Sequence, residues 1–276
     1  MRFKPSNKAY SIDDLPATRQ KQFVDFFKTR PGLFFQLGGV LLLFALPFLA
    51  CFLFKYYGIL YPTSQSLDPE EFEAFSKTNT LVFDGVYALC FLLIFLALAG
   101  LGRIIRQWAW GEGIYFWRDF GKGIQQNGKT TLICWVLFSL GFWGSDLISL
   151  LVPSLWVSIF FDGLCLLLLP FLMMLLVQSL VYSNPLGKAL ANSFFYLFKK
   201  PWWVLLFLLF PFGFFLLPLI DSILWQAFSY FLVFFLAMPL FMTGWELYCF
   251  SLFDAYTNQE FYPEIYQKGL RGEFQK

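Results

Sequence analysis

The sequence predicts an all-α, polytopic membrane protein: six transmembrane helices in three hairpins, with amphipathic elbow helices on the cytoplasmic side. Three observations predict it. The chain of 276 residues is 58% hydrophobic and 14% charged, with a mean hydropathy of +0.62, too few charges to coat a soluble domain of this size. Six apolar runs, about 33–54, 80–102, 130–151, 154–181, 202–220 and 222–250, reach the roughly 20 helical residues that a bilayer core requires. Of the 20 Lys and Arg, all but Lys55 and Lys77 fall on one side of the spans so drawn.

Residues 1–30 form a polar, basic N-terminal segment, 31–250 the six-helix bundle and 251–276 a C-terminal tail. The first apolar run is long and lacks a small-residue cleavage site, so it reads as an uncleaved span and not a signal peptide. Arg2, Lys4, Lys8, Arg19, Lys21, Lys28 and Arg30 precede it, and the remaining same-side cations lie after spans two, four and six. The excess of cations on cytoplasmic loops then places both termini in the cytoplasm. The outer loop 58–79 carries Asp68, Glu70, Glu71 and Glu73 instead, and the other outer turns, near Pro153 and Asp221, are short.

Before spans one, three and five the same arrangement recurs: an amphipathic basic helix, then a helix-breaking turn. Residues 16–30 set Phe23, Phe26 and Phe27 against Arg19, Lys28 and Arg30 ahead of Pro31-Gly32. Residues 114–127 set Ile114, Trp117, Phe120 and Ile124 against Arg118, Lys122, Gln125 and Gln126 ahead of Asn127-Gly128. Residues 186–200 precede Pro201. Apolar positions at this spacing form one stripe of a helix, and proline or glycine at each hinge redirects the chain into the membrane.

Between spans two and three the stretch RIIRQWAWGEGIYFWRDFGKGIQQNGK, 103–129, holds three tryptophans and five basic residues. It reads either as an interfacial elbow facing anionic headgroups or as a docking surface for a protein partner, since Trp and Arg are common interface anchors. The candidate surface is Trp108, Trp110, Trp117, Arg118, Phe120 and Lys122, with Tyr262 and Pro263 from the tail.

Polar residues inside spans need a reason, because a carboxylate at mid-bilayer costs on the order of 3 kcal/mol. Asp221 is expected to cap the following helix with Ser222, while Asp84 and Asp146 lie about a turn inside the interface. Asp162 is some eight residues in, roughly 12 Å at the helical rise, and is the leading intramembrane candidate. Trp143 and Trp156 lie at similar depth, so the group Asp162, Asp146, Asp84, Trp143 and Trp156 reads either as a carbohydrate-facing cavity or as an aromatic belt with water-reachable acids. Glu246 is expected to pair with Arg103 or Lys188. Pro47, Pro170, Pro211, Pro218 and Pro239 predict kinks, and Gly141, Ser145 and Ser149 a close helix contact.

The chain has no histidine and its five cysteines are scattered singly, so neither a zinc site nor a disulfide framework is expected. No phosphate loop, GxSxG or HExxH motif occurs. The expectation is a protein that is not an enzyme, with no catalytic, cofactor-binding or metal residues, whose partner is the lipid bilayer and not nucleic acid.

Two segments, RQWAWGEGIYFWRDFGKGIQQNGKTTL at 106–132 and LFDAYTNQEFYPEIYQKGL at 252–270, resemble the YesL-like family of bacterial integral membrane proteins. The family has no assigned activity or active-site residues. The resemblance implies a bacterial plasma-membrane protein that is an accessory subunit of a carbohydrate (oligosaccharide) ABC importer, contacting its permease or ATPase. This chain departs from the family in its long acidic outer loop and polar N-terminal tail. The alternative is a self-contained small-molecule carrier with a cavity near Asp162, which requires that Asp162 be buried.

Overall fold

The computed structural model describes residues 15–152, 154–214 and 222–274, and their regular structure is helical. In chain order the helices are α1 (Arg19–Thr29), α2 (Pro31–Ser64), α3 (Pro69–Ala109), α4 (Phe116–Leu151), α5 (Leu155–Val181), α6 (Leu186–Lys199), α7 (Pro201–Phe214) and α8 (Ile223–Phe261), with a final 3-10 turn at Arg271–Phe274. Five of these, α2, α3, α4, α5 and α8, are long and apolar enough to cross a membrane. The predicted fifth span is described only as α7, and its remainder lies outside the described residues, as do Pro153, Pro218 and Asp221.

Helix starts follow their local chemistry. The Thr18 side chain accepts from the Lys21 amide to open α1. Pro31, Pro69 and Pro201 each stand at the first turn of a helix, where the missing N–H costs nothing. The hinges expected at Pro31 and Pro201 are therefore present. The hinge expected at Asn127-Gly128 is not: α4 runs unbroken through it, so the second elbow and the third span are one helix of 36 residues. The Asn127 amide donates to the Gly123 carbonyl, and Thr131 to the Asn127 carbonyl, inside the helix. Gly128 in a helix costs about 1 kcal/mol relative to alanine, which packing against α3 offsets.

The outer loop expected at 58–79 is also mostly helix. α2 continues to Ser64, through a π-helical segment at Phe54–Leu60, and α3 begins at Pro69 with Glu70 and Glu71 in its first turn, where acids favour the helix N-terminus. α3 has 41 residues, roughly 60 Å, twice the thickness of a bilayer core. At the other terminus α8 extends to Phe261, so the tail begins about ten residues later than predicted.

Packing extends beyond the pairs expected as hairpins. α3 lies against α4 over its basic half, where Gly123 meets the Ala99 carbonyl and Gly100 meets the Phe120 ring. α4 also packs on α5 and α2 on α3, α8 crosses α2, and α7 leans on α5. The core, including Phe26, Leu101, Ile104, Met174, Trp245 and Phe253, sits in the half of the bundle where the basic segments cluster. A smaller apolar cluster of Ala45, Leu49, Tyr230 and Phe234 holds α2 to α8 toward the acidic end.

The α2–α8 crossing shows how sequence sets contact. Pro239 has no N–H to give the Phe235 carbonyl, and a π-helical segment, Val233–Ala237, precedes it. That carbonyl faces Gly38, where a Cβ would lie 2.0 Å from the oxygen. Gly38→Ala is therefore expected to lower the thermal midpoint in detergent, a loss of about 1–3 kcal/mol. Gly39→Ala, whose Cβ would meet nothing within 4 Å, should leave it unchanged. Equal midpoints for the two variants would contradict this packing.

Candidate functional site

Two polar assemblies stand out, one at each end of the bundle. At the basic end, α1, the tail and the C-terminal ends of α3 and α8 are tied together by a buried ion pair. Arg19 Nη2 donates to Asp254 Oδ2 at 2.9 Å, and Arg19 Nη1 donates to Gln22 Oε1 at 2.9 Å and to the Lys268 carbonyl at 3.0 Å. Asp254 Oδ1 accepts from Asn258 Nδ2 and from the Gln267 amide. Burial pulls the Arg19 guanidinium below the usual arginine range, opposed by the charge and hydrogen bond of Asp254. Gln22 Nε2 donates to the Ala109 carbonyl at 2.6 Å.

The stretch WAWGEG forms the close of α3. Gly111 adopts φ +69°, its amide bonds the Trp108 carbonyl, and the Glu112 amide bonds the Gln107 carbonyl. This is the paired pattern by which a left-handed glycine ends a helix. Glu112 then pairs with Lys268 at 2.8 Å and Arg106 at 3.8 Å, and both cations lie over the Trp110 ring, at 4.6 and 4.9 Å. Arg106 also donates to the Leu180 carbonyl and is the cation facing buried Glu246, in place of the expected Arg103 or Lys188. The Tyr196 and Thr257 hydroxyls bond each other, and Gln178 donates to Ser193 on α6 at 2.6 Å.

Of the predicted interaction surface, Trp108 and Trp110 turn inward: Trp108 packs on Phe26 at 4.6 Å and Trp110 against Phe250 at 6.2 Å. Phe120 is buried, and Tyr262 is half-buried on Tyr182. Trp117, at 67% exposure, faces outward with Arg118, Lys122 and Pro263, and Arg118 lies over the exposed Tyr115 ring at 4.2 Å. Beside Trp117 a groove of about 260 Å³ runs between α2 and α4, lined by Gln36, Gly39, Val40, Leu43 and Phe116. On α6 the inward face is Ala189, Ser193 and Tyr196, while Phe194 and Phe198 point out.

The second assembly lies toward the acidic end. Lys55, in the π-helical segment of α2, is 7% exposed, and Asp84 on α3 is 2% exposed. Lys55 makes no hydrogen bond among the described residues. Its ammonium lies 5.9 Å from the Phe83 ring and 5.7 Å from the Tyr87 ring, facing Asp84 and Asp146. Asp146 on α4 faces Asp84. Tyr56, Tyr87, Tyr230, Cys51, Cys90 and Cys165 surround the group.

Asp162 is exposed on α5 and accepts from Ser145 Oγ of α4 at 2.6 Å. The burial that the carrier reading required of Asp162 belongs instead to Asp84 and Lys55. Trp143 and Trp156 are 42% and 79% exposed on the outside of the bundle. Lys55 was missed because it read as a stray loop cation, although a lone lysine inside CFLFKYYGIL is an apolar-context charge that asks for a partner. Among the described residues no cluster suits a metal ion, and the cysteines are free.

No family model matches the chain, and no curated protein or solved structure matches it.

Gly269 (φ +78°) sits where a Cβ would lie 2.1 Å from the Ala109 carbonyl. Gly269→Ala is expected to lift the tail from α3, read as faster protease cleavage within 262–270 of the detergent-solubilised protein. A cleavage rate equal to the parent's would contradict the close docking of the tail.

Proposed function

We propose that this chain is a non-enzymatic integral protein of a bacterial plasma membrane, with both termini cytoplasmic, that acts as an accessory subunit of a carbohydrate ABC importer. The observation that carries the reading is the construction of the basic end. Elbow, helix ends and tail are locked by Arg19–Asp254, Gln22–Ala109 and Lys268–Glu112, which suits a fixed platform more than a moving gate. From that platform Tyr115, Trp117 and Arg118 project, the residue types that anchor protein interfaces. The bias of the cations supports the orientation. The resemblance of 106–132 and 252–270 to YesL-like proteins supplies the importer.

A second reading, a carrier, is favoured by one observation, the buried Lys55–Asp84–Asp146 group, since intramembrane charges commonly mark ion or substrate paths. A groove of about 550 Å³ between α5 and α7 is lined by Ile159, Phe160, Leu164, Leu167, Leu205 and Leu209. An apolar groove of this kind suits acyl chains better than a sugar.

The test is affinity purification from native membranes in mild detergent, with mass spectrometry of what accompanies the protein. The accessory reading expects importer permease or ATPase subunits in near-equal amount, lost at least tenfold with Trp117→Ala plus Arg118→Ala at unchanged protein yield. Recovery of the protein alone would overturn it.

A further inference from the structure

We propose that Asp84 and Asp146 form a proton-binding site, holding a single exchangeable proton between them with Lys55 as the fixed counter-cation. Asp84 is 2% exposed, and no N–H or O–H of the described residues reaches either of its carboxyl oxygens. The carboxyl of Asp146, on the neighbouring helix, faces it. Two carboxylates are both acceptors, so a hydrogen bond between them exists only if one carries a proton.

Charge balance leads to the same state. A buried group is stable in low dielectric when its charges cancel. Lys55 with two ionised aspartates leaves one negative charge in excess, and one proton on the pair removes it. Lys55 is itself 7% exposed and without a hydrogen bond, its ammonium held over the Phe83 and Tyr87 rings and facing the two acids. This unpartnered cation, on a different helix from either acid, is the second observation that marks the place as a site.

The other titratable groups facing the pair are Tyr56 from α2, Tyr87 from α3 and Asp162 and Cys165 from α5, with Cys51 and Tyr230 beyond them beside Tyr87, and Cys90 beside Cys51. None adds a second fixed cation. Asp162 is exposed and accepts from Ser145 Oγ, the residue next to Asp146, which brings a carboxylate in contact with the outside close to the pair. It is the route by which the proton exchanges.

The test is infrared spectroscopy of the full chain in lipid nanodiscs at neutral pH, recorded as difference spectra between the parent and each variant. Asn has the shape of a protonated Asp, so Asp84→Asn and Asp146→Asn preserve the packing, and either one suffices. In each variant the remaining aspartate and Lys55 cancel, so the spectrum should lose the carboxylic-acid C=O band of one residue. Differencing removes the contribution of buried Glu246 at the other end. Lys55→Met should instead gain one such band, because both acids then take a proton. The lost band should shift in heavy water if the proton exchanges. Loss of no acid band in either Asn variant overturns the proposal, as does an acid band that heavy water leaves unshifted.

Discussion

The basic half of this molecule depends on one contact, the buried pair of Arg19 and Asp254. Neither side chain could be left alone there, since an uncompensated buried charge costs about 3–5 kcal/mol. The pair fixes α1 against the C-terminal part of α8. The second amino group of Arg19 then reaches the Lys268 carbonyl, and Asp254 holds the Gln267 amide, so the tail is laid across the same place. Once the tail is there, Lys268 meets Glu112 and caps the end of α3. Four separate parts of the chain are in this way referred to one charge pair.

The two ends of the bundle use charge differently. At the basic end the charges are paired across elements, Arg19 with Asp254 and Glu112 with Lys268 and Arg106, and large side chains such as Trp245 and Phe253 are fully enclosed. At the acidic end the charges are isolated in apolar and aromatic surroundings, with Asp84 and Tyr87 oxygens lacking a donor or acceptor. Ion pairs that tie several elements together rigidify, while a buried carboxyl with no donor, in low dielectric, is where proton chemistry is found. The contrast separates a platform from a site.

Much of the architecture was legible in the residues. Apolar run lengths found the long helices, and Pro31 and Pro201 marked real hinges because proline lacks an N–H wherever it stands. Asn127-Gly128 misled because propensity is a weak local term, overridden here by the small face of α4, Gly123, Asn127 and Thr131, that lets it close on α3. The sites were less legible. The spacing set Arg19 on the polar face opposite Phe23, Phe26 and Phe27, whereas Arg19, Gln22 and Phe26 share the buried face of α1, because Asp254 gives the guanidinium a partner there. Asp162 drew attention by depth along its helix, whereas burial depends on which neighbour covers a residue, and that is set by crossings such as α2 on α3.

The most direct test of the central claim is a double-mutant cycle on the ion pair, using Arg19→Met, Asp254→Leu and the combination, with unfolding followed in detergent. The account predicts that each single change is strongly destabilising and that the double variant is less destabilised than the sum of the singles by about 2 kcal/mol or more. Additive effects would show that Arg19 and Asp254 act independently, and that the basic end is held by packing alone.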